Sequence, residues 1–295
     1  RERSFSTARI SRNQPSRPLC GLVRSVAIQH MSRRTVRRMW MRGNDPEVGT
    51  AETYRAFAAD ARGRSPIYES LAASVAEGPA ILDYLRSLPH EKRQPNLLFA
   101  AARYLLGRPP DPNQLRMLVK HNPAGLAELM LTRRTQTNEP ARCTALLPAL
   151  AQLVPPLALI EVGASAGLTL LVDRYSYDYG GYRIVGCDPL APTLECDPRG
   201  PVPLPIRIPE ITWRAGLDLN PLDVHSDDDM RWLSCLVWPG EGSRERRLAA
   251  AIASARRDPP VVHRGDLLVD LPALAAQAPA DATLVVYHSA VLAYV

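Results

Sequence analysis

Residues 157–171 read Leu-Ala-Leu-Ile-Glu-Val-Gly-Ala-Ser-Ala-Gly-Leu-Thr-Leu-Leu, and this stretch decides the fold. The apolar run Leu157–Val162 has the length of a buried strand and carries one acid, Glu161, near its end. Small residues fill the next five positions, and an apolar pattern at helical spacing follows. The stretch therefore predicts strand, tight turn and a short helix over 168–175. Such a turn brings bare backbone close to a ligand.

Downstream of it, strands and helices alternate. A second strand is predicted over 182–186, ending at Asp188, and a short one over 211–213 after a proline-rich loop. Helical patterns cover 230–237 and 241–257, a strand at 261–263 runs into Gly265-Asp266, and a short helix at 271–276 precedes a last strand at 283–288. This alternation predicts a parallel sheet covered on both faces.

Upstream no convincing strand pattern occurs before about residue 156, and the chain reads as a series of helices opened by proline. Ser65-Pro66, Pro79, Pro95, Asp111-Pro112 and Asn122-Pro123 each place proline at a first helical position, where its missing N–H breaks no bond. A last helix is read over 135–153, with a polar head before Cys143. The fold class is thus α/β: a basic leader at 1–44 that reads as disordered, a helical N-terminal domain at 45–154, and a Rossmann-like α/β domain at 155–295.

Composition narrows the function classes. The chain has 295 residues, 46% hydrophobic and 22% charged, as in soluble globular proteins. Its net charge of +6 arises entirely in residues 1–42, where eleven arginines oppose Glu2, leaving the remainder at −4. That distribution argues against nucleic acid as the partner of the folded part, although the leader itself could be a basic arm or a transit peptide. Five scattered cysteines without a Cys-x-x-Cys pair argue against a disulfide framework or a structural metal site and fit a cytoplasmic protein. No apolar run reaches the roughly 18 residues of a membrane span.

Three chemistries can use the turn. Dinucleotide binding fails, because Ser165 and Leu168 stand where the fingerprint needs glycine, and no Walker loop occurs. The letters Gly163-Ala-Ser165-Ala-Gly167 match a hydrolase nucleophile elbow, with Ser165 as nucleophile, His288 or His263 as base, and Asp188, Asp223 or Asp266 to orient it. Context opposes that reading, since an elbow follows strands already laid down and here the preceding half is helical. The third chemistry is a nucleotide-like cofactor. An acid followed by x-Gly-x-Gly-x-Gly after the first strand is the S-adenosylmethionine signature of class I methyltransferases, and Glu161-Val-Gly163-Ala-Ser165-Ala-Gly167 resembles it with serine at the middle glycine. Asp188, 21 residues after Gly167, then falls near the spacing of a ribose-binding acid, Asp266 follows the third predicted strand near the adenine position, and His288 ends the fourth as a possible base.

Further motifs extend the resemblance. Arg93-Gln-Pro-Asn-Leu-Leu-Phe99, Gln136-Thr-Asn-Glu139 with Arg142, Asp173-Arg-Tyr175, Gly216-Leu-Asp-Leu-Asn-Pro-Leu-Asp223 and Arg264-Gly-Asp266, together with the turn, resemble a bacterial family known as domain of unknown function 2332. The resemblance runs from about Ala51 onward and implies a methyltransferase-like fold without supplying an activity. It adds Asn138, Glu139, Arg142, Asp218 and Asn220 as candidate substrate-binding residues, because loop polar groups on a rigid scaffold are where binding usually lives. A complete class I sheet has seven strands, so a chain ending soon after a fourth reads as C-terminally truncated. The functional expectation is an S-adenosylmethionine-binding, methyltransferase-like protein with a small-molecule acceptor; a Ser165 hydrolase and a non-catalytic binding module of the same fold are the alternatives.

Overall fold

A computed structural model describes residues 49–289 and 291, so the basic leader lies outside the described residues. Six helices follow one another in the first part: α1 (Thr50–Ala61), α2 (Pro66–Ala76), α3 (Pro79–Arg86), α4 (Pro95–Leu106), α5 (Pro112–His121) and α6 (Pro123–Thr132). Five of them begin with the prolines that predict them. Ser65 caps α2 by accepting from the Tyr68 N–H, Asp111 and Gln114 form a capping box on α5, and Gly107 ends α4 at φ 71°. Residues 135–139, predicted as the polar head of a helix, are not helical; a 3-10 turn (Pro140–Arg142) leads into α7 (Cys143–Leu150). Among the described residues no helix is long and apolar enough to cross a membrane.

Strand β1 (Leu157–Val162) is buried along its whole length and lies at the heart of a four-stranded parallel sheet. Its partners are β5 (Ile211–Asp218) on one side and β7 (Thr283–Tyr287) on the other, with β6 (Val262–Arg264) beyond β5. The order β6-β5-β1-β7 means that the chain builds outward from β1 through two strands and then returns to its other side. This is the Rossmann-like order, and it puts a topological switch point between β1 and β7.

The two faces of the sheet are covered unequally. Leu157 and Leu159 of β1 join Val285 and Tyr287 of β7 in a large core that takes in Leu98 and Phe99 of α4. The same core reaches helices α8 (Asp227–Cys235) and α9 (Gly242–Arg257) through Trp232 and Leu248. On the other face, among the described residues, Ile160, Val162, Ala215 and Leu217 meet Leu274 of the five-residue α10 (Leu271–Ala275) as their one buried partner.

Two sequence expectations are corrected here. The segment read as the second parallel strand is β3 (Tyr182–Ile184), which forms an antiparallel hairpin with β2 (Ser176–Tyr179) across Gly180-Gly181 and belongs to a separate sheet completed by β4 (Thr193–Glu195). The true second strand is β5, eight residues long, of which only 211–213 read as strand. The helix expected over 168–175 is a four-residue 3-10 turn, Leu168–Leu171. Carbonyls that an α-helix would use are taken by side chains instead: Tyr175 Oη donates to Leu168 O at 2.6 Å, and Arg214 Nη1 to Leu170 O at 3.0 Å.

Candidate functional site

The turn after β1 is held by bonds from four segments. The Gly163 N–H extends the β1–β5 ladder by donating to Leu217 O at 2.7 Å, and the Gly167 N–H closes the turn on Ala164 O at 2.7 Å. The Leu168 N–H donates to Asn138 Oδ1 at 2.7 Å, so Asn138, 3% exposed, caps the 3-10 turn rather than a helix of its own segment. Gly163, Ser165 and Gly167 all have positive φ, at 72°, 54° and 71°. Glycine adopts that region freely, whereas a side chain there costs about 1–2 kcal/mol. Ser165 therefore occupies a glycine-like position, and three bonds hold it: its N–H to Asp218 Oδ2 at 2.8 Å, its carbonyl from the Leu222 N–H, and its hydroxyl to Gln136 O at 3.4 Å.

Gly167 is also required by packing. A Cβ there would stand 2.7 Å from Pro260 Cγ and 3.0 Å from Val262 Cγ2. Strain and overpacking together should make Gly167→Ala less stable by about 2–4 kcal/mol in urea unfolding. A loss below about 1 kcal/mol would show that the turn relaxes freely. A Cβ on Gly163 would meet Val291 Cγ2 at 2.0 Å, so the segment after β7 crosses that glycine.

Asp218, at the carboxyl end of β5, is the hub of the site. Its Oδ1 accepts from Gln136 Nε2 at 3.1 Å and from the Asn220 N–H at 2.7 Å, while Oδ2 holds the turn through Ser165. Gln136 and Asn220 join side chain to side chain at 2.9 Å, and Gln136 Nε2 also reaches Asn220 O. Gln136 was not among the residues singled out from sequence, though it heads the motif Gln136-Thr-Asn-Glu139; its amide earns its place only when β5 and the turn are brought together.

Beneath the turn lies a buried polar group of residues. Glu161 is 0% exposed, and its Cα pairs across the sheet with that of Tyr287. Burial, the largest influence, pushes its carboxyl up to about 7, against the lowering effects of Thr169, Arg142 and Ser289. Ser289 donates to Glu161 Oε1 at 3.2 Å and accepts from Arg142 Nη1 at 2.9 Å, and Arg142 Nη2 reaches Thr137 Oγ1. Glu161 Oε2, Thr169 Oγ1 and Tyr287 Oη are buried together without a well-aligned hydrogen-bond partner among the described residues, although Thr169 lies close enough to lower the pKa of both Glu161 and Tyr287.

The remaining candidates separate into two groups. Asp266, exposed after β6, and half-buried His288, after β7, stand at the same carboxyl edge as Asp218. Asp266 Oδ1 accepts from the Leu268 N–H; burial lowers the His288 pKa, and its Nδ1 has no partner among the described residues. Asp188 and Glu139 are instead occupied by helix α9. Asp188, placed by sequence at the end of the second parallel strand, follows β3 in the small sheet; Ser254 and then Arg257 hold its carboxyl at about 2. The register expected of Asp188 belongs to Asp218. Burial would raise the Glu139 pKa, but the Arg247 bond, the Arg244 charge and the Ala141 N–H outweigh it and keep it below the ordinary value. Beside Glu139 a small cleft, with room for about one water molecule, opens between Thr137-Asn138 and the apolar side chains Leu233, Leu236 and Val237.

The Ser165 hydroxyl, 3% exposed, donates to a backbone carbonyl rather than to a histidine. Its positive φ is a trait shared with nucleophile elbows, but the hydrogen bond to a base that activates such a serine is not made.

A family model described as an uncharacterized protein conserved in bacteria (DUF2332) matches residues 51–295. The chain belongs to the DUF2332 family. No curated protein and no solved structure matches it. In this DUF2332 chain the motifs that carried the resemblance interlock around one turn: Gln136 and Asn138 hold it from one side, Asp218 and Asn220 from another, and Asp173 and Tyr175 brace the 3-10 turn after it.

Proposed function

We propose that the carboxyl edge of the parallel sheet binds an S-adenosylmethionine-type cofactor, and that this DUF2332 chain is a methyltransferase-like protein acting on a small molecule. One observation carries the reading: Asp218 ends the second parallel strand and is hydrogen-bonded to the turn after the first, beside the topological switch point. Ligands of open α/β sheets bind outside the carboxyl ends of the strands, and an acid at the end of the second strand suits ribose hydroxyls.

The residues present fit such a group in part. Asp218 is partly exposed, and among the described residues its Oδ2 accepts only the Ser165 N–H, which leaves acceptor capacity for a hydroxyl. Exposed Asp266 stands one strand further out, where an adenine would reach it. The small side chains of Ala164, Ser165 and Ala166 give the turn a low profile. Glu161 fits less well as a direct contact for an amino group, because it lies wholly buried behind Ser289, and Gly163 is covered by Val291. When bound, the cofactor supplies an electrophilic methyl group; what the chain's own residues contribute is orientation and proton handling. Arg142, Asn220 and His288 are the proposed substrate-side groups. His288 is offered as a base because its lowered pKa favours the neutral imidazole. A cytoplasmic setting agrees with the free thiols of Cys143, Cys187, Cys196 and Cys235.

Calorimetric titration of the full chain with S-adenosylhomocysteine tests the reading. Saturable heat is expected, weakened about tenfold or more by Asp218→Asn and less by Asp266→Asn, which alters an exposed position. Absence of heat at high micromolar ligand would remove the cofactor assignment. A binding module of the same fold would bind the ligand equally, and turnover of a methyl acceptor would exclude it.

A further inference from the structure

Buried polar side chains without partners are few in folded proteins, and each one asks for a physical explanation. Among the described residues, three without a well-aligned partner gather under one turn: Glu161 Oε2, Thr169 Oγ1 and Tyr287 Oη, on residues that are 0%, 1% and 6% exposed. Thr169 neighbours both of the others. The group does not end in the core. Glu161 Oε1 is bonded to half-buried Ser289, Ser289 to half-buried Arg142, and Arg142 to exposed Thr137. A polar path therefore connects an interior carboxyl to the carboxyl edge of the sheet, at the switch point between β1 and β7.

We infer that Glu161 is a proton acceptor served from the carboxyl edge through the Ser289 hydroxyl, for a substrate whose nucleophile carries a removable N–H or O–H proton. This rests on the reading of that edge as a group-transfer site. The step balances: the substrate's proton passes to Ser289 Oγ as the proton already on Oγ passes to Glu161 Oε1, leaving a neutral carboxylic acid and a substrate atom with a free electron pair. Ser289 is the group that touches substrate, and Glu161 acts through it. The ionisable groups that bear on Glu161 are Arg142 before α7, Cys143 in α7, Tyr175 after the 3-10 turn, Asp218 on β5 and Tyr287 on β7. Arg142 alone among them carries positive charge, and it bonds Ser289 directly, which keeps the proton's route at that hydroxyl.

The test needs no known substrate. In the full chain, Ser289→Cys puts a thiol on the path, and its alkylation by iodoacetamide, located by peptide mass spectrometry, reports both access and coupling. Ionised Glu161 should raise the pKa of that thiol by about one unit, as a like charge at contact distance does. The combination S289C/E161Q should then react up to about tenfold faster than S289C near pH 7.5 to 8, with the two rates converging once both thiols are ionised and equal below about pH 6, where Glu161 is neutral. No alkylation at position 289, or equal rates throughout, overturns the inference. As a check on the unaltered thiol-free path, infrared difference spectra of the wild type against Glu161→Gln should show one protonated carboxyl that disappears as pH rises through neutrality; its absence at pH 6 has the same overturning force. Loss of S-adenosylhomocysteine binding would sink the cofactor reading while leaving these two readouts intact, so the two failures are distinguishable.

Discussion

Asp173→Ala is expected to lower the stability of the chain by roughly 3 kcal/mol, the low end of the cost of stripping one partner from a buried ion pair. Asp173 and Arg214 meet through two bonds of 2.7 Å, and their side chains keep only 19% and 20% exposure. Burial alone would depress the Arg214 pKa; Asp173 outweighs it and holds the guanidinium above its ordinary value. Arg214 Nη1 also caps Leu170 O, so the pair fixes the segment after the turn against β5. Removal of the carboxylate leaves a largely buried guanidinium with Leu170 O as its remaining bonded partner among the described residues. Urea unfolding should show the loss, and Asp173→Ala/Arg214→Met should recover most of it, because apolar replacement of a buried pair is often neutral. A loss below about 1 kcal/mol, as for an exposed pair, would mean the contact is solvated and unimportant.

Glu161→Gln should act in the opposite direction and only at one end of the pH scale. A carboxyl whose folded pKa is about 7 and whose unfolded value is about 4.3 leaves the native state holding more protons between those limits. Stability contributed by this group therefore falls as pH rises through that window and stays low above it, a penalty of about 3 kcal/mol at pH 8. Glutamine carries no charge to desolvate, and its amide can donate toward the Thr169 and Tyr287 hydroxyls buried beside it. The variant should match the wild type near pH 4 and exceed it by up to about 3 kcal/mol at pH 8 in denaturant titrations. If Arg142 held Glu161 ionised instead, the variant would be the less stable protein at pH 8.

The parts of the fold legible in sequence are those written in local chemistry. Proline fixes φ where α2 to α6 begin, Asp111 and Asn122 cap α5 and α6, and β1 is an unbroken apolar run. The parts that escaped reading depended on partners distant in sequence. Strand β5 hides behind Arg214 and Gly216, which look like interruptions; Arg214 is neutralised by Asp173, and Gly216 is bare because a Cβ would stand 2.7 Å from Ala164 Cβ. With β5 read only over 211–213, the hairpin strand β3 takes the second place in the expected parallel sheet, and Asp188 the strand end that Asp218 occupies. The candidate site was legible to the extent that its letters cluster: Glu161, Ser165, Asn138, Asp218 and Asn220 do converge on one turn, by hydrogen bonds or by burial beneath it. Glu139 and Asp188 carry the same chemistry on paper but face arginines of α9, and no spacing rule distinguishes a paired acid from an available one. Gln136 and Ser289 stand inside legible segments, the motif 136–139 and the end of the last strand, but their roles are not, since glutamine and serine are ordinary surface residues until something buried needs them.

The central claim is that Asp218, and not another acid, receives the ribose of a bound nucleoside at the carboxyl edge. Crystals of the full chain grown with S-adenosylhomocysteine test it most directly. The expected result is a nucleoside across the ends of β5 and β6, its ribose hydroxyls within hydrogen-bond distance of Asp218 and its base beside Asp266. A nucleoside bound away from Asp218, or none at millimolar ligand, would contradict the account.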